Sequence, residues 1–129
     1  MNLNKQIKEL FASQVPVWEV AQKNIDSLKN VETKSFSFGE FDIEAQFNPA
    51  RIVSSGAKVD AKSIQERKCF LCKANRPEIQ KGIQYGDKFE ILVNPFPILP
   101  FHFTIPRTAH VPQEILPYVD EMLNLAKDL

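Results

Sequence analysis

"KFEILVNPFPILPFHFTIP", residues 88–106, is the stretch whose reading decides the fold. Its first seven residues are rich in β-branched and aromatic side chains and end on Asn94, the profile of a strand with a polar residue at its tip. Pro95, Pro97 and Pro100 follow, each with φ fixed and no N–H to donate. The chain can therefore only take an extended, turning path. It re-emerges as "HFTIP", residues 102–106, where His102 and Thr104 alternate with Phe103 and Ile105 in strand fashion. Six of the nine prolines lie between Pro95 and Pro117, so this region is built from rigid turns and short strands.

Upstream, "TKSFSFGEFDIEAQF", residues 33–47, alternates apolar and polar side chains around Gly39-Glu40, a two-residue turn with Gly first. That register sets Phe38 opposite Phe41 and Phe36 opposite Ile43, all on one face, and a slip of one residue would turn them over. At the start of the chain, Ile7, Leu10 and Phe11 recur at helical spacing, and Pro16 can open a second helix carrying Trp18, Ala21, Ile25 and Leu28. Arg51-Ile52-Val53 reads as a short strand, and Asp60 as the cap of a helix over 61–66. Ile115, Val119, Met122, Ala126 and Leu129 predict an apolar stripe on a last helix. The expected fold class is α+β. The 33–47 hairpin and the strands at 88–94 and 101–106 form one antiparallel sheet, with helices at both ends of the chain packed against it.

Composition sets limits. Apolar residues at 43% suffice for one core, and 129 residues with no repeat or composition break predict a single domain over 1–129, with 1–30 as a helical lead-in. Sixteen basic residues balance sixteen acidic ones, which argues against nonspecific nucleic-acid binding. No run of about 18 apolar residues exists to span a membrane, and "MNLNKQIKELF" lacks the apolar stretch of a signal peptide. The default is a cytoplasmic protein with reduced thiols. The last helix carries no stop signal after Leu129, an ending open both to a free-standing domain and to a piece of a longer protein.

The only two cysteines, Cys69 and Cys72, sit in "RKCFLCKANRPEIQKG", residues 67–82. Cys-x-x-Cys can present two thiolates to one tetrahedral zinc. It can also be a redox pair, although that would want the helix start of a strand-helix unit, or two small buried hydrophobes. A full zinc site needs two further ligands. His102 and His110 are the only histidines, and their spacing does not match that of helical zinc fingers. His102 alone reads as structural, and His110 matters only if it joins the cysteines. Arg51 has a planar fork suited to phosphate, while Arg76 and Lys81 read as surface charges. Asn94 at a strand end is placed to hold a ligand hydroxyl. No Gly-rich phosphate loop or Ser-His-Asp set is apparent.

"CFLC" followed by "FEILVNPFPILPFHFTIPRTAHVPQEI" resembles the first half of the galactose-1-phosphate uridylyltransferase-like proteins, a histidine-triad-like group of nucleotidyltransferases and phosphorylases that includes diadenosine tetraphosphate phosphorylase and GDP-galactose phosphorylase. The resemblance covers about residues 47–125 and leaves out the N-terminal helices. It implies a histidine-triad-like half-barrel, with Cys69, Cys72 and His110 as three ligands of a structural zinc. Asn94 would lie near the ribose and α-phosphate, and Arg51, in a looser alignment, among the phosphate-contacting arginines. His102 matches the position opening the second core strand, where Phe101 replaces a usual Gly, and takes no catalytic role. The family's nucleophile is a histidine in a His-x-His-x-His or His-x-His-x-Gln motif, whose first histidine is also the fourth zinc ligand. Neither motif occurs in this chain.

Two expectations follow from the resemblance. One is the N-terminal piece of an enzyme that moves a nucleoside monophosphate onto phosphate or a sugar phosphate, with a nucleotide or nucleotide-sugar substrate. The other is a non-catalytic zinc- or nucleotide-binding assembly module whose exposed sheet edge is covered by a second copy, giving a homodimer.

Overall fold

The computed structural model describes residues 2–129 and has the α+β class expected, with two small antiparallel sheets and flanking helices. Helix α1 (Leu3–Gln14) starts where Asn2 accepts a hydrogen bond from the Asn4 amide. Pro16 ends it through a tight turn, Val15–Val17, before α2 (Glu19–Ser27). The 33–47 hairpin forms as β1 (Glu32–Ser37) and β2 (Asp42–Phe47). Its register pairs Phe36 with Ile43, and Phe38 donates to the Phe41 carbonyl across Gly39, whose φ of +85° suits a residue without a Cβ. Short helices α3 (Ile52–Ser55) and α4 (Ala61–Glu66) follow, the latter capped by Asp60 as expected.

The second sheet is a meander of β3 (Gly82–Tyr85), β4 (Phe89–Val93) and β5 (Phe103–Thr104). Central β4 is the best-buried element: Ile91, Leu92 and Val93 are almost wholly shielded. Val93 packs with Val15, Trp18 and Ala21, and Ile91 with Ile7 and with Leu125 of the last helix, α5 (Val119–Asp128). The N-terminal helices are thus half of the core. On the opposite face, Gly82 lies so close to Glu90 and Leu92 that an added Cβ would sit 2.5–2.6 Å from their side chains.

Several expectations need correction. The hairpin does not join the main sheet; Gly82–Tyr85 takes that place. Arg51-Ile52-Val53 is helical rather than extended, because Asn48 accepts from the Ala50 amide and Pro49 sits in the first turn, together nucleating a helix that outweighs β-branched preference. The 102–106 strand is cut to two residues, since Pro106 has no N–H for the ladder; its carbonyl instead accepts from Glu90. On α5 the anticipated stripe is mostly exposed, and Leu125 is the buried residue. Among the described residues, no helix is long and apolar enough to cross a membrane.

Candidate metal centre

A tight turn carries the two cysteines. Cys72 donates its amide to the Cys69 carbonyl at 3.3 Å, and Asn75 Nδ2 reaches back to that same carbonyl at 2.9 Å. The following residues, Lys73–Asn75, form one turn of 3₁₀ helix. Asn75 thus braces the turn from inside, a role with no sequence motif to announce it. His110 comes from the other side. The strand-like run after Pro106 stays beside the start of β4, with Thr108 donating both its amide and its hydroxyl to the Lys88 carbonyl. Two residues on, His110 Nδ1 lies 3.2 Å from Cys72 Sγ.

The two sulfurs and a nitrogen of His110 all lie within 4.8 Å of one another, close enough to hold a metal ion. The three ligand atoms have the chemistry and spacing such an ion would need: thiolate bonds of about 2.3 Å and imidazole bonds of about 2.0 Å would put them roughly 3.5–4 Å apart around a tetrahedral ion. Both cysteines are free and partly buried. Their thiols differ. Burial pushes Cys69 up, but the amides of Leu71 and Cys72 and the Cys72 thiol outweigh it, so its pKa falls below the ordinary thiol value. Cys72, which donates to Cys69, is raised by that bond and by its own desolvation. Cys69 is thus the more acidic thiol of the two, and a metal that binds both must displace their protons.

Arg76, read from sequence as a surface charge, is buried, with a side chain 5% exposed and an ion pair to Glu90 at 2.6 Å. Its Nε and Nη1 have no partner among the described residues. The pair links the cysteine loop to β4, and the Arg76 charge lowers the Cys72 pKa against the larger raising effects. Lys81 is exposed, as expected, and its carbonyl accepts from Gln14.

Asn94, Arg51 and His102 lie together at a second locus. The Asn94 amide donates to the His102 carbonyl at 3.0 Å, and Asn94 Oδ1 accepts from the Phe96 amide at 2.8 Å, which fixes the turn after β4. His102 Nδ1 accepts from the Ile98 amide at 3.1 Å. Burial, and then the charge of Arg51, hold its pKa below the ordinary 6.5. Arg51 Nε is buried without a partner among the described residues. Because the unfolded imidazole binds its proton more readily, stability is full above pH 6.5 and falls as pH drops below it. Urea midpoints should follow that slope, and His102→Gln, which keeps an acceptor for Ile98, should flatten it; an unchanged slope in the variant would assign the effect to other groups.

Neither Asn94, Arg51 nor His102 lines the cleft of about 630 Å³ that opens beside the metal ligands. That cleft runs between the 104–115 segment and α5, and the α5 stripe faces it through Met122, Ala126 and Leu129. Arg107 stacks over the Tyr118 ring at 4.7 Å along its wall and donates to the Tyr118 hydroxyl.

No curated protein and no solved structure matches the chain. Residues 10–129 match a family described as a domain of unknown function, DUF4922. With that match running over nearly its whole length, the chain belongs to the DUF4922 family.

Proposed function

We propose that this chain binds zinc through Cys69, Cys72 and His110 and forms one wall of the nucleotide site of a nucleotidyltransferase or phosphorylase. The observation that carries the reading is the convergence of His110 on the two sulfurs, across 38 residues of chain. Two thiols and an imidazole favour zinc over the hard cations, which prefer oxygen ligands. Two free thiols accord with a reducing, cytoplasmic setting. Zinc would fix the cysteine turn against the 107–110 segment. The fourth ligand would come from outside these 129 residues.

Asn94 and Arg51, whose Nε is buried without a partner among the described residues, supply the nucleotide contacts in this reading. The transfer step needs a nucleophilic imidazole that attacks the α-phosphorus while the phosphate or sugar-phosphate leaves, splitting one displacement into two. Neither histidine of this chain is free for that work. In this reading His110 is taken up as a metal ligand beside Cys72, and His102 Nδ1 is engaged by the Ile98 amide. The nucleophile is therefore assigned outside this chain.

The test is calorimetric titration of the zinc-loaded chain with ADP, GDP and UDP. One diphosphate should bind, and Arg51→Ala should weaken it about 10- to 100-fold, the effect of losing a charge-assisted hydrogen bond. Stoichiometric zinc with no nucleotide binding would sink the transferase reading and leave the metal site standing.

A further inference from the structure

The β1–β2 ribbon presents its apolar side to solvent. Phe36, Phe38, Phe41, Ile43 and Phe47 share one face and are each between 42% and 63% exposed. Phe38 and Phe41 stack at 5.4 Å at the tip, and Lys34 lies over the Phe36 ring at 5.1 Å on the same face. On the opposite, polar face Gln46 donates to the Ile98 carbonyl at 3.2 Å, while all twelve strand residues stay exposed. A two-stranded ribbon is marginal by itself in water. One oriented with its phenylalanines outward is built to be covered.

We propose that this face is the contact between two copies of the chain, packed ribbon on ribbon about a two-fold axis. Taking about 200 Å² for a whole aromatic side chain, the exposed fractions amount to about 500 Å² of apolar surface. A stable complex takes about 800 Å² per partner, so this face supplies more than half, with the Lys34–Ala45 pair inside it and Glu32 at its end adding to that. A two-fold contact sets the face against itself. An axis in the plane of contact and perpendicular to the strands lays β2 on its copy in reverse. Phe41 then meets the partner's Phe47, and Ile43 meets the partner's Ala45, large against small. On β1, Phe36 meets the partner's Lys34, repeating the cation–ring contact already made within the ribbon, and Phe38 lies over the partner's Glu32 at the edge. One Lys and one Glu on the face, and zero net charge on the chain, leave no repulsion between copies. Lys34 and Glu32 balance on this face and Glu40 sits at the tip, so no basic patch is offered to nucleic acid or anionic lipid.

Sedimentation equilibrium of the reduced full chain should give a dimer. Phe41→Glu should raise its dissociation constant more than about 100-fold, since the two-fold makes each buried aromatic anchor count twice. Ser35→Glu, on the opposite face, should leave it unchanged. Hydrogen exchange of the wild-type chain needs no variant: amides of residues 32–47 should become more protected as concentration rises. A monomer with an unprotected ribbon, a dimer indifferent to Phe41→Glu with its fold intact, or a monomer that co-sediments with zwitterionic vesicles would each overturn the proposal.

Discussion

Cys72→Ser is expected to weaken zinc binding by more than about 100-fold, measured on reduced protein by competition with a chromophoric chelator. Loss of a group that merely supports a ligand costs 10- to 100-fold, so loss of a ligand itself should exceed that range. The turn should survive the change, because its hydrogen bonds are made by the backbones of Cys69 and Cys72 and by Asn75. The same experiment has a stability arm. Zinc at about 1,000 times its dissociation constant should stabilise the wild type by about 4 kcal/mol, and Cys72→Ser should lose most of that gain. His110→Ala should behave alike, since its ring sits 3.2 Å from the Cys72 sulfur. Equal zinc affinity in wild type and both variants would mean that the cluster is a chance meeting of two thiols and an imidazole.

Arg76→Met should cost about 3–5 kcal/mol in urea unfolding, the range for stripping one partner from a buried ion pair. Glu90 would be left 18% exposed beside Gly82, with no counter-charge and little room to turn toward water. The double variant Arg76→Met, Glu90→Met should recover most of the loss, because a buried pair replaced by apolar side chains of similar volume is often neutral. A single-variant cost below about 1 kcal/mol would place the pair in the class of solvated surface bridges. The experiment also separates two roles for Arg76. If it only braces the fold, the double variant binds zinc normally. If its charge also favours the Cys72 thiolate, zinc affinity stays low in the double variant.

What the sequence discloses here is what local rules control. The hairpin register follows from strict alternation and a Gly at the turn, and the structure pairs Phe36 with Ile43 accordingly. Asp60 and the strand around Ile91 follow from capping chemistry and side-chain preference. The approach of His110 to the cysteines, by contrast, was reachable only through resemblance, since nothing in the spacing carries a histidine across 38 residues. Two features were hidden for different reasons. Gly82–Tyr85 is too short, and too disfavoured by its leading Gly, to announce itself as a strand, and it forms only because β4 lies alongside. Arg76 looks like any surface arginine until its partner 14 residues away is known. Which sheet a hairpin joins is equally non-local, and there the expectation failed: β1–β2 stands apart from the meander.

The bed on which the first helices lie has a consequence for biosynthesis. Ile7, Val15, Trp18 and Ala21 pack on Ile91 and Val93, so the ribosome delivers these greasy faces some seventy residues before their support. At about 5–20 residues per second, roughly 4–14 s pass in which they have no native partner. During that interval the apolar side chains of the nascent segment stay exposed, and its hazard is clumping with neighbouring nascent chains.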